Sequence, residues 1–176
     1  DIHWRQEALL PAAQRLLAAM GTAAPAEFET VTLDTPFYGV YSGQSALELV
    51  PDTLRYLTNG TLERCTVYDY ETDTTLPVYD RTAAAGDDGY ALFLSGSKAL
   101  LTITNPEAKT ERELVLFRDS FGSSLAPLLA GSYAKITLVD IRYVSPERLG
   151  NWLTFDGQDV LLLYSVPVLN HSETIK

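Results

Sequence analysis

Ser120 stands at the end of an apolar run, Glu113-Leu114-Val115-Leu116-Phe117, continued as Arg118-Asp119-Ser120-Phe121-Gly122-Ser123-Ser124. The run has strand length, and the residues from Gly122 onward read as the opening of a helix. A serine at such a corner projects its hydroxyl beyond the sheet edge, while N–H groups at the helix start can face an anion. Ser120 is therefore the candidate nucleophile for acyl transfer. The same residues also suit a plainer role, in which Asp119 or Ser120 caps the helix that follows.

A serine nucleophile needs a base, and the chain holds two histidines, His3 and His171. Histidine is the side chain whose ordinary pKa suits that work near neutral pH. His171 lies in the polar tail Asn170-His171-Ser172-Glu173-Thr174, where a solvated position is the default. His3 lies in Asp1-Ile2-His3-Trp4, just before a helical pattern. Residues two apart face the same side of an extended backbone, so an extended start lets the Asp1 carboxylate orient the His3 ring.

The elements that must position these groups follow from periodicity. Trp4, Ala8, Ala12, Leu16 and Met20, flanked by Leu9, Ala13 and Leu17, predict a helix over 5–20 that stops at Gly21 and bends at Pro11. A strand follows at 28–33. Residues 34–80, rich in aromatics, Gly and Thr, read as a β-rich insertion with a short helix at 45–50 and strands at 63–70 and 75–79. Within it, Phe37-Tyr38-Gly39-Val40-Tyr41-Ser42-Gly43 is a loop that either lines a cleft, with Tyr38 against substrate, or covers the core. Asp69, Glu71 and Asp73 alternate like calcium ligands, but the glycine and closing glutamate of an EF-hand are missing, so the segment reads as a solvated turn and no metal site is assigned.

From residue 89 strands and helices alternate. Strands are predicted at 99–104, 113–117, 135–141 and 159–166, the last fully buried, and helices at 123–129 and 146–153, with Ser145 as N-cap of the second. This order predicts an α/β fold with a right-handed parallel sheet flanked by helices, and ligands in such sheets bind beyond the carboxyl ends of the strands. Ser120 lies at one such end and Asp140-Ile141-Arg142-Tyr143 at another. Asp140 and Arg142 are thus candidates for substrate binding, or form with Asp119 a structural ion-pair network.

Composition narrows the partners. Thirteen basic against 23 acidic residues give a net charge of −10, which repels phosphate backbones and excludes nucleic acid as the expected partner. At 176 residues and 46% hydrophobic content, one domain with a substantial core is expected. The single Cys65 excludes an internal disulfide and a thiolate cluster, and reads as a small buried hydrophobe. No run of 18 apolar residues and no signal peptide is present.

Asp1-Ile2-His3-Trp4, Phe37-Tyr38-Gly39, Phe93-Leu94-Ser95-Gly96-Ser97, Arg118-Asp119-Ser120-Phe121 and Val139-Asp140-Ile141-Arg142-Tyr143 occur in that order over nearly the whole chain. Together they resemble the DHHW family of bacterial proteins. The first and fourth blocks are similar to those of alginate O-acetyltransferases, which belong with the SGNH hydrolase-like fold. The resemblance implies a single SGNH-like, flavodoxin-like three-layer domain over 1–176 with a parallel sheet and the β-rich insertion. It implies a triad of Asp1, His3 and Ser120, with the oxyanion held by Ser120 N–H and by Gly96 and Ser97. The implied activity is serine-dependent acyl transfer or ester hydrolysis on an acetylated cell-envelope or extracellular carbohydrate, in an extracytoplasmic location and without a cofactor. A motif beginning at residue 1 leads to the expectation of further sequence upstream, a signal or anchor and another strand.

Departures from the family pattern set the alternative. Ile2 replaces the second motif letter, with its side chain directed away from Asp1 and His3. Arg5 stands where the family has Thr, Arg118 where a GDS corner has Gly, and Ser95-Gly96-Ser97 where Gly-Gly-Asn is usual. An Asn there would supply an oxyanion donor, and its absence points to a catalytically weak or inactive glycan-binding envelope module on the same fold.

Overall fold

The computed structural model describes residues 1–23, 27–45 and 50–174. In chain order, a 3-10 turn at Gln6–Ala8 precedes α1 (Leu10–Ala19), β1 (Glu29–Phe37), α2 (Val40–Ser45), β2 (Asp52–Thr58) and α3 (Gly60–Arg64). Then come β3 (Thr66–Asp69), β4 (Thr74–Leu76), β5 (Leu100–Thr104), β6 (Glu113–Arg118) and α4 (Gly122–Leu129). The chain continues through β7 (Lys135–Val139), α5 (Pro146–Leu149), β8 (Asp159–Leu163) and α6 (Val166–Asn170). Most of the short helix expected at 45–50 falls outside the described residues.

Six strands form one mixed sheet in the order β4-β3-β5-β7-β6-β8, and β1 and β2 pair in a separate two-stranded sheet. Among the described residues parallel pairing is confined to β6 with β7 and β6 with β8; β7–β5, β5–β3 and β3–β4 are antiparallel. The expectation of a parallel sheet therefore holds for the three strands joined by helices and not for the others. A connection as short as that between β3 and β4 can only return the chain antiparallel. Of the segment at 34–80, β3 and β4 extend the main sheet, while β2 pairs with β1 apart from it.

The parallel unit places the candidate nucleophile. From β6 the chain crosses through α4 to β7 on one side, then through α5 to β8 on the other. The strand order reverses at β6, the position at which open α/β sheets bind ligands beyond the carboxyl ends of their strands, and Ser120 lies just past that end. The helices cover opposite faces: α1 and α4 pack Leu17, Leu125 and Leu128 against Leu114, Leu116 and Leu138, while Leu149 of α5 joins Val115 and Val139 on the other face. A third cluster, with Leu33, Phe37 and Tyr56 of the small sheet, takes in Tyr90 and Phe93.

Two local expectations are corrected. The helix predicted over 5–20 is interrupted at Leu9, and α1 begins anew with Pro11 in its first turn, where the missing N–H has no helical partner to lose. Its buried face is Leu9, Ala13 and Leu17, with Ala8 and Ala12 exposed. Gly21, at φ 68°, ends the helix, and Thr22 N–H reaches back to Leu17 C=O at 2.9 Å, the closure of a Schellman motif. The last strand, expected to be buried, is an edge strand with Val160 and Leu162 exposed. Its apolar run imitates a central strand because apolar residues fall on both faces.

Among the described residues no helix is long and apolar enough to cross a membrane. Cys65 is buried, and burial pushes its thiol up to about 11, which matches the inert hydrophobe read from sequence. Pro11→Ala is expected to change unfolding free energy by less than about 1 kcal/mol in urea titrations. Relief of a kinked interior proline would instead add about 3 kcal/mol.

Candidate active site

Arg118, the last residue of β6, is 1% exposed. Past it, Asp119 shapes the corner: Oδ1 accepts Phe121 N–H at 3.0 Å and Oδ2 accepts Ser165 N–H at 2.7 Å. One carboxylate thus forms the turn and ties it to the segment after β8, while α4 itself starts after Phe121 with no side-chain cap, so neither Asp119 nor Ser120 is its N-cap. Gly122 opens α4 because a Cβ there would sit 2.6 Å from Arg118 Cβ. Between them, half-buried Ser120 presents its hydroxyl, and its N–H meets no acceptor among the described residues.

The chain's start folds back onto this corner. His3 Nε2 lies 3.0 Å from Ser120 Oγ, and His3 Nδ1 lies 2.8 Å from Asp1 Oδ1. An ionised carboxylate only accepts, so Nδ1 carries the proton and Nε2 is left to accept the serine hydroxyl. Asp1 is held in turn: Oδ1 also accepts His3 N–H at 2.6 Å, and Oδ2 accepts Val40 N–H at 3.2 Å. Gly39 is required for this approach, because a Cβ at that position would stand 2.4 Å from Asp1 Cβ. The His3 and Asp1 side chains are 7% and 12% exposed. Burial lowers the His3 pKa below its ordinary value, against the opposing pull of Asp88 and Asp119.

Three further residues were not singled out from sequence. Tyr90 stacks on the His3 ring with centroids 3.9 Å apart and planes 13° from parallel. Gln6, 1% exposed, donates to Ser124 C=O at 2.8 Å and accepts Leu57 N–H at 2.7 Å. Ser124 Oγ accepts from Tyr90 Oη at 2.7 Å. A tyrosine inside an apolar run and a glutamine inside a helical one carry no local signal, since only the fold brings their polar tips together.

Other candidates take different places. Asp140 is fully buried and accepts from Arg142 N–H at 3.1 Å, Nε at 2.9 Å and Nη2 at 2.6 Å, with Arg118 Nη1 at 4.0 Å. So enclosed a carboxylate offers a substrate no face, and its evident work is to balance the charge of Arg118 beneath the corner. Arg118 also donates to Ser123 Oγ at 3.2 Å and Lys98 C=O at 3.2 Å. The ion-pair network foreseen for Asp119, Asp140 and Arg142 thus exists with Arg118 in place of Asp119. Arg142, its pKa raised by Asp140, lies over the Tyr143 ring at 5.3 Å. Tyr38 stands 52% exposed beside Gly39. His171 is exposed, 3.1 Å from Glu173.

The segment expected to supply oxyanion donors is tightly wound, with Leu94, Ser95 and Gly96 at φ 57°, 57° and 88°. Ser95 Oγ anchors it to Asp80 at 2.7 Å. Gly96 N–H is committed to Phe93 C=O at 3.2 Å, so the turn removes it as a free donor. Ser97 is exposed and makes no hydrogen bond among the described residues. Asp69, considered as a calcium ligand, is instead occupied by Lys98 at 2.9 Å, Glu71 N–H at 2.9 Å and Thr72 Oγ1 at 2.9 Å. A cavity of about 100 Å³ opens against Asp1 and His3, lined also by Trp4, Arg5, Arg55 and Tyr90.

The chain is thus a mixed α/β fold with a serine at the switch point and a histidine and carboxylate in line with it. No family model matches the sequence, and no curated protein matches it. Among solved structures, the chain is similar to a DHHW family protein from Eubacterium siraeum, at 22% identity and TM-score 0.72 over 93% of this chain and 56% of that one. It is also similar to PatB1 from Bacillus cereus, at 17% identity and TM-score 0.71 over 96% of this chain and 62% of that one. PatB1 with a sulfonyl adduct matches at 19% identity and TM-score 0.68, over 96% and 60%. The likeness is one of fold, and the chain spans about three fifths of the length of these structures.

Asp140→Ala is expected to destabilise the fold by about 3–5 kcal/mol, because it leaves the Arg118 guanidinium buried without its counter-charge. Chemical denaturation of the variant measures this.

Proposed function

We propose that Asp1, His3 and Ser120 form the triad of a serine-dependent acyltransferase or esterase on an SGNH-like fold of the DHHW kind. The observation that carries this reading is the unbroken line from Asp1 Oδ1 through His3 to Ser120 Oγ, at 2.8 and 3.0 Å. In the proposed reaction His3 Nε2 takes the hydroxyl proton as Ser120 Oγ attacks an acyl carbonyl, and Asp1 holds the imidazolium that forms. The tetrahedral oxyanion is met by Ser120 N–H, which is unspent. His3 then returns the proton to the leaving alcohol, and a second alcohol or water repeats the sequence in reverse to release the acyl group.

Acetyl on an envelope or extracellular carbohydrate is the proposed substrate class, and the location is extracytoplasmic. Support comes from the sequence resemblance and from the fold shared with the DHHW protein and PatB1. Exposed Tyr38 and Tyr41, and Trp4 lining the cavity beside the triad, offer aromatic faces to a sugar. The Gly96 bond to Phe93 favours a second reading, a glycan-binding module with little or no turnover. Under that reading, glycan titration gives saturable binding that survives Ser120→Ala, with no ester hydrolysis by the unaltered protein.

Hydrolysis of 4-nitrophenyl acetate tests the triad. Ser120→Ala and His3→Ala are expected to lower kcat/KM by about 10²- to 10⁴-fold; equal rates in all three proteins would overturn the assignment. Because burial lowers the His3 pKa from its ordinary value of 6.5, the base keeps its neutral form to lower pH than a free imidazole does. The rate should therefore rise with pH around a midpoint below 6.5, and a midpoint above it would contradict the burial argument.

A further inference from the structure

We propose that Tyr90, anchored by Ser124, is a positioning residue that sets the plane of the His3 ring and favours its protonated form during catalysis. The proposal rests on the reading of His3 as the base that activates Ser120.

A hydrogen bond from Nδ1 to Asp1 fixes one edge of the imidazole but leaves the ring free to tilt about that bond. Tyr90 removes the tilt by lying against the ring face at 3.9 Å and 13°. It is itself held on three sides. Its N–H donates to Asp88 Oδ1 at 3.0 Å, its ring packs on Phe93 at 4.9 Å, and its hydroxyl donates to Ser124 Oγ at 2.7 Å. Tyr90 is 5% exposed and Ser124 fully buried.

Ser124 belongs to α4, the helix that starts two residues after the nucleophile. Its carbonyl accepts from Gln6, three residues past His3, at 2.8 Å. One residue of the nucleophile's helix thus holds the segment that carries the base through Gln6, and the ring itself through Tyr90. The base is thereby tied directly to the nucleophile's own helix.

The stack also acts on charge. When Ser120 gives its proton to His3 Nε2, the ring becomes a cation lying on an aromatic face, and that contact is stronger for the imidazolium than for the imidazole. An interaction that strengthens only as the charge develops lowers the barrier rather than tightening substrate binding. Burial keeps Tyr90 a neutral phenol by raising its pKa, so the face presented is that of an uncharged ring. Asp1, Asp88 and Asp119 act on the same imidazole and are unchanged in the comparison below.

The test is an NMR titration of the imidazole signals in the unaltered chain, Tyr90→Phe and Tyr90→Leu, with His171→Asn identifying those of His3. Phe keeps the aromatic face, whereas Leu keeps the apolar cover without it. The His3 pKa should stay near its original value in Tyr90→Phe and fall by about 0.5 to 1 unit in Tyr90→Leu. Aryl acetate kcat should drop about 10-fold in the Leu variant, with KM little changed and most activity retained by Phe. If Tyr90→Leu does not fold, Tyr90→Met makes the same comparison, and Ser124→Ala, which removes the anchor as Phe does, should match Tyr90→Phe. Identical His3 pKa values and rates in the Phe and Leu variants would overturn the proposal, leaving Tyr90 as core filling. The NMR readout needs no turnover. A pKa that falls as expected, in a protein with no esterase activity, sinks the Ser120 assignment and leaves the Tyr90 contact standing.

Discussion

The hydrogen bond between Asp1 and His3 sets the tautomer on which the proposed chemistry depends. A carboxylate can only accept, so it forces the imidazole proton onto Nδ1 and leaves Nε2 as a lone-pair acceptor facing Ser120, 3.0 Å away. With the opposite tautomer the serine would face a donor, and no proton could leave it. Much of the surrounding structure reads as support for that one bond. Val40 N–H holds the free oxygen of the carboxylate, and the bare backbone of Gly39 lets Asp1 approach.

The proposed nucleophile, Ser120, is fixed by a different means. Beyond β6 the strand order reverses, so the corner at Ser120 has parallel neighbours on both sides and helices on opposite faces. A second close approach, Gly122 over Arg118, lets α4 start within two residues of the serine. Beneath it, Arg118 and Asp140 form a buried charged pair. Such a pair contributes little net stability when intact but makes the loss of either partner costly. The corner is thereby resistant to local change, which suits a group that must stay within hydrogen-bond reach of its base.

Those parts of the site that rest on adjacent residues were legible in the sequence. The Asp1-x-His3 spacing and the strand, polar step and glycine around Ser120 are local patterns, and the coordinates bring those three residues into one line. The parallel trio β6, β7 and β8 was legible because strand and helix alternate there. Parts that depend on distant partners were not. The antiparallel half of the sheet follows from which edge β5 joins, a tertiary choice without a local signature. Pro11 looks like a kink because periodicity runs through Leu9, although the backbone breaks there. Val160 and Leu162 look buried by type, and only the strand order shows that they lie at an edge. Gly96 matched a motif, yet its N–H closes a turn on Phe93, which spacing alone does not reveal.

A nucleophile activated by a neutral imidazole reacts with a sulfonyl fluoride, and an ordinary surface serine does not. Mass spectrometry of the chain after treatment with phenylmethylsulfonyl fluoride therefore tests the central claim most directly. One sulfonyl group per chain is expected on Ser120, lost in His3→Ala. An unmodified chain, or a label on another residue that His3→Ala leaves in place, would contradict it.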